Sequence, residues 1–95
     1  MAEMNLTELQ HDILTELGDS PKTAVSPTRL GELMRSYYHI SYCTANSAWA
    51  SPKLIRLERR GLVKATVKRH YYTTAKGREA RRLWAEQANN EEKEA

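Results

Sequence analysis

Residues 53–70, KLIRLERRGLVKATVKRH, carry seven lysines and arginines against a single acid, Glu58. Lys53, Arg56, Arg59 and Arg60 recur at helical spacing, and Ala50, Leu54 and Leu57 share the opposite, apolar face. Lys64, Lys68, Arg69 and His70 follow on the far side of Gly61. Cations presented by one exposed helix face and an adjoining turn can neutralise a row of phosphates, which is chemistry for binding a polyanion. Two competing accounts stand beside it. A charge run can be simply a solvated face, and Arg59 and Arg60 also sit where cations complement a helix dipole.

Chemistry of other kinds is missing. The sequence has no glycine-rich phosphate loop, nucleophile elbow, paired carboxylates or Cys/His cluster. His11, His39 and His70 stand 28 and 31 residues apart, and the single cysteine, Cys43, has no identifiable base. The chain is therefore not expected to be an enzyme, nor to hold a metal or cofactor. Cys43 is expected to be a small buried residue in a reducing compartment.

Ninety-five residues suit one small domain, with no room for a second core. No apolar run approaches the ~20 residues that span a bilayer, and MAEMNLTELQ lacks the pattern of a secretory signal, so the expected location is cytoplasmic. The net charge of +3 conceals a segregation: residues 1–52 carry −3, residues 53–82 carry +9 and residues 83–95 carry −3. The domain is expected over residues 1–88, with 89–95 an acidic, disordered tail.

The elements that must position the basic stretch follow from periodicity and caps. Asn5 and Glu8 form a candidate capping box before Leu6, Leu9, Ile13, Leu14 and Leu17, with Gly18 as the stop and His11, Asp12 and Glu16 on the surface. Thr23-Ala24-Val25 is long enough only for a bridge strand beside the hairpin. Ser26-Pro27 opens a second helix with a buried stripe of Leu30, Leu33, Met34 and Tyr37, leaving Arg29 and Arg35 available to solvent or phosphate. Residues 38–46 are irregular; Tyr37, Tyr38 and Tyr42 fill space between helices or face a ligand or base.

The third helix begins near Thr44 or Ser47, with Pro52 kinking it, or at Ser51 with Pro52 in its first turn. It should end at Arg60, closed by Gly61. Residues 62–67 and 71–74 read as a hairpin, with one of Tyr71 and Tyr72 in the core. Thr74 is the expected cap of a fourth helix whose stripe is Ala80, Leu83, Trp84 and Ala88, with Gly77 in its first turn. Leu83 and Trp84 belong either to the core or to an interface between two copies.

LIRLERRGLV followed by YYTTAKGRE resembles the recognition helix, wing and following helix of winged helix-turn-helix regulators, MarR-like and PadR-like ones especially. The likeness covers roughly residues 6–85; the irregular 38–46 segment, the short hairpin and Pro52 depart from it. It implies an α+β fold, mainly α with a small β-hairpin: a three-helix core, a wing and a C-terminal helix. It also implies a small prokaryotic or phage transcriptional regulator that binds double-stranded DNA, with homodimers usual. The third helix would enter the major groove through Asn46, Ser47, Ala48, Trp49, Ser51 and Lys53, while Arg56, Arg59, Arg60, Lys64, Lys68, Arg69 and His70 hold the backbone. Trp49 has an alternative as a packing residue. A different class of function is a protein-docking module whose basic face takes an acidic partner. RNA binding is a third, without a visible RNA-recognition motif.

Overall fold

The structure, a computed structural model, describes residues 6–94, with side chains through Ala88. The chain runs α1 (Glu8–Glu16), a 3-10 turn (Pro21–Thr23), α2 (Pro27–Met34), α3 (Asn46–Arg59), β1 (Val63–Ala65), β2 (Tyr71–Thr73) and α4 (Ala75–Glu94). It is an α+β arrangement of four helices and one two-stranded antiparallel hairpin. No helix among the described residues is long and apolar enough to cross a membrane. Helix α4 runs on to Glu94, through the stretch expected as a disordered tail, and the expected Asn5 cap lies outside the described residues.

Local chemistry places each helix start. Thr7 caps α1: its Oγ1 accepts the Gln10 N–H at 3.1 Å, and Gln10 Oε1 accepts the Thr7 N–H at 3.0 Å. This is a capping box, two residues beyond the expected one. Leu17 is already extended, so α1 stops before Gly18. Ser26 caps α2 by accepting the Arg29 N–H at 3.1 Å, with Pro27 in the first turn. Thr74 caps α4, accepting the Gly77 N–H at 3.1 Å while donating to the Gly61 carbonyl at 2.7 Å.

Helix α3 is the longer of the two alternatives, fourteen residues with Pro52 inside it. Its N-cap, Ala45, supplies no side-chain acceptor. The C-terminus follows the expected pattern: Gly61 has φ +79°, its N–H reaches the Glu58 carbonyl at 2.9 Å, and the Leu62 N–H reaches the Leu57 carbonyl at 3.0 Å. Those paired bonds form a Schellman closure, and buried Leu57 and Leu62 supply its apolar contact.

The hairpin is shorter than its two apolar runs. Val63 pairs with Thr73, Lys64 with Tyr72 and Ala65 with Tyr71. Val25 adds a bridge on the other side of Tyr71, donating to and accepting from it at 2.8 Å. Tyr71 is the core tyrosine and Tyr72 is half-buried. Buried Thr73 is satisfied by donating to the Leu14 carbonyl at 3.0 Å.

One core joins all these elements: Ile13, Leu14 and Leu17 of the α1 region, Leu30 and Met34 of α2, and Ala50, Leu54 and Leu57 of α3. Leu62, Val63, Tyr71 and Ala80 join it from the hairpin and α4, and Ile40 from the connection after α2. Several expected placements are corrected. Helix α2 ends at Met34, so the stripe does not continue to Tyr37, which is exposed. Cys43 is exposed as well, since Ser41, Tyr42 and Cys43 face outward after the buried Ile40. His11 is not a surface residue: its ring stacks on Trp84 at 4.2 Å with an interplanar angle of 20°, tying α1 to α4 within the chain.

Tyr37 and Tyr38 tie the start of that connection back to α1. Tyr38 Oη donates to Asp12 at 2.6 Å and Tyr37 Oη to Glu16 at 2.9 Å. The bond to Asp12, reinforced by burial, pushes the Tyr38 phenol up to about 12. Burial and then the bond to Glu16 raise Tyr37 also. A raised folded-state value means that the stabilisation is complete below the ordinary value of about 10 and is lost as pH rises from there through about 12. An absorbance titration should show late-ionising phenols, and Tyr38→Phe should remove one of them; ionisation of all tyrosines near pH 10 would refute the contact.

Candidate functional site

The arginines outside α3 and the hairpin differ from the exposed cations on those two elements. Arg35, expected to be available to phosphate, is fully engaged: Nε donates to Asn46 Oδ1 at 2.5 Å, Nη1 to the Ile40 carbonyl at 3.0 Å, and Nη2 to the carbonyls of Thr44 at 2.5 Å and Ser41 at 3.4 Å. Arg29 pairs with Glu32 at 2.7 Å. On α4, Arg78 donates to the carbonyls of Asp19 and Thr73, and Arg81 donates to the Leu14 carbonyl at 3.1 Å and pairs with Asp19 at 3.3 Å. Arg82 pairs with Glu79 at 2.5 Å and with Glu86. These arginines hold the fold or are internally neutralised.

Arg56, Arg59, Lys64, Lys68 and Arg69 form that contrasting set. They are exposed, and none makes a salt bridge with another described residue. All lie on α3 or the hairpin. The hairpin tip is built to present its share. The Thr66 carbonyl accepts the Arg69 N–H at 2.9 Å and the Thr66 N–H donates to the His70 carbonyl at 2.7 Å, leaving Val67, Lys68 and Arg69 as a three-residue loop. Arg69 stands at φ +67°, the left-handed position where such loops favour glycine. Val67 is fully exposed and His70 half-buried.

On α3 the expected residues do not all share one face. Advancing about 100° per residue, the pole opposite Ala50, Leu54 and Leu57 is occupied by Ala48, Pro52, Ile55 and Arg59. Trp49, Lys53, Arg56 and Arg60 form a flank turned toward α1. Thr7, Leu9, Gln10 and Ile13 of the α1 region line a groove of about 110 Å³ with Lys53, Arg56 and Leu57. Arg60 Nη1 donates to Gln10 Oε1 at 3.4 Å. Lys53 Nζ lies 4.2 Å from the centre of the Trp49 ring and donates to the Trp49 carbonyl at 3.2 Å. Burial, with the adjacent Arg56 adding repulsion, holds the Lys53 ammonium below its ordinary value.

The groove-facing set is thereby reduced. Asn46 is occupied by Arg35, and Trp49 and Lys53 by each other. Trp49 packs half-buried against the core, the alternative left open for it. Ser47 and Ser51 are half-buried on the other flank. Ala48, Pro52 and Ile55 take the outward positions, and of these only Ala48 is among the residues expected from the sequence to face a DNA groove. The signal lay in the wheel itself, where angle rather than charge sign marks the exposed pole.

No family model, curated protein or solved structure matches the chain.

Proposed function

We propose that the protein binds double-stranded DNA as a winged helix-turn-helix regulator of transcription, with α3 in the major groove and the hairpin as a wing on the backbone. The observation that carries this reading is where the exposed cations gather. Arginines elsewhere in the described chain have partners in the fold, and of the lysines outside α3 and the hairpin Lys22 and Lys76 are exposed without a salt bridge, whereas Arg56, Arg59, Lys64, Lys68 and Arg69 gather their exposed charge on two consecutive elements. A polyanion is the ligand that such a set serves best. The resemblance of LIRLERRGLV and YYTTAKGRE to winged-helix regulators supports the same assignment.

Binding as two copies on a two-fold site belongs to the proposal, as does action in a prokaryotic or phage cytoplasm. Trp84 is occupied by His11 within its own chain, so half-buried Leu83 is the expected α4 residue left to meet a second copy.

Arg69 offers a test in which stability and binding move in opposite directions. Arg69→Gly relieves the left-handed strain and should stabilise the fold by about 1 kcal/mol. It also removes a phosphate contact, so duplex affinity should fall and the salt slope should shrink by about 0.9. Arg56→Ala should lower affinity at unchanged stability, since Arg56 is exposed and unpaired among the described residues. Undiminished affinity in both variants would remove the interface.

A second reading has its own observation. The outward pole of α3 is mainly apolar, which suits a protein surface, and the exposed cations beside it would suit an acidic partner. Co-purification of a stoichiometric acidic protein, with no retention on DNA, would favour it.

A further inference from the structure

The polar residues expected to read bases from α3 are largely engaged elsewhere, which leaves a specific chemistry at its outward pole. Ala48, Pro52 and Ile55 are exposed one turn apart, and Ile55 is one of the few large apolar side chains in the described residues with substantial exposure. None has a side-chain hydrogen-bond donor or acceptor. Arg59 extends the same pole, and Arg56 stands on its edge, where the two guanidinium groups can hold phosphates on the groove wall.

Resting on the DNA-binding reading above, we propose that α3 recognises thymine C5-methyl groups through Ala48, Pro52 and Ile55, so that its target carries thymines at the positions these residues meet. The major-groove floor is otherwise a pattern of donors and acceptors: N7 and O6 on guanine, N4 on cytosine, N6 and N7 on adenine, O4 on thymine. An aliphatic side chain pressed against those groups strips them of water and gives nothing in return. The thymine methyl is the one apolar feature there, and burying it against Ile55 or Ala48 is favourable. Ser47 and Ser51, half-buried on the flank, are compatible with any base and add little discrimination. Selection at this pole is therefore by shape and methyl placement, while Arg56, Arg59 and the hairpin cations supply most of the affinity.

The test separates this inference from the reading beneath it. The tightest duplex from a random pool is resynthesised with uracil for thymine, which removes the methyl and leaves the base-pairing edges intact. Affinity should fall roughly fourfold for each contacted methyl lost, at an unchanged salt slope. Ile55→Ser, a substitution at an exposed position that should leave folding intact, should lower the thymine-to-uracil affinity ratio by about fourfold, the share of the methyl it meets. Equal affinity of the wild type for both duplexes would overturn methyl recognition while DNA binding stood. A thymine preference untouched by Ile55→Ser would overturn the assignment to this face. Absence of binding to every duplex in the pool would overturn the inference together with the function proposed above.

Discussion

Arg35→Met should destabilise the protein by about 3 kcal/mol, the sum expected from losing several charge-assisted hydrogen bonds in a partly buried network. The guanidinium is the centre of the 35–46 connection. It donates to the carbonyls of Ile40, Ser41 and Thr44 and to the Asn46 side chain, so one planar group fixes both the path of the loop and the first residue of α3. Methionine preserves much of the stem's packing and none of the donors, leaving those acceptors dependent on water. Arg35→Lys should recover little, because a single ammonium cannot reproduce the planar fork. Urea denaturation gives the stability loss, and amide exchange should show accelerated opening at residues 40–46. A lysine variant as stable as the wild type would show that the charge alone suffices.

Gly77→Ala should cost a further, independent amount. A Cβ at this position would lie 2.1 Å from the Leu62 carbonyl oxygen and 2.7 Å from Thr73 Cγ2. The obstacle is backbone on one side and a buried threonine on the other, so neither can swing away. The same Leu62 carbonyl accepts the Thr74 N–H at 3.0 Å, and displacing it also disturbs the start of α4. Overpacking of this severity costs about 3 kcal/mol, and alanine regains about 1 kcal/mol of helix propensity, for a net loss of about 2 kcal/mol. Thermal unfolding should shift down by about 8–16 °C. An unchanged midpoint would mean that α4 does not cross the hairpin as closely as described.

Both residues contrast with the elements that local sequence discloses. Elements governed by local chemistry were legible: the Ser26-Pro27 start, the Thr74 cap, the Gly61 closure and the hairpin between two β-prone runs. Each depends on residues within one turn of each other. Gly77 and Arg35 depend instead on what arrives from elsewhere in the chain, the Leu62 carbonyl for one and a folded loop for the other. His11 was misplaced for the same reason, since its partner Trp84 lies on a different helix. The helical spacing that puts Tyr37 on the α2 stripe requires the helix to continue past Met34, and it ends there.

The candidate site was legible in composition and less so in geometry. The concentration of charge on residues 53–70 was plain, but a cation's sign does not tell which way it points. Arg59 lies on the outward pole of α3, whereas Lys53, Arg56 and Arg60 lean toward α1. Asn46, a natural base-reading residue by type, is held by Arg35 instead.

The central claim is that the exposed cations of α3 and the hairpin serve duplex DNA. Its most direct test is the equilibrium affinity for a pool-selected duplex as a function of salt concentration. With Arg56, Arg59, Lys64, Lys68 and Arg69 each neutralising one phosphate, the log–log slope should lie between about −4 and −5. A flat salt response, or no binding at low salt, would contradict it.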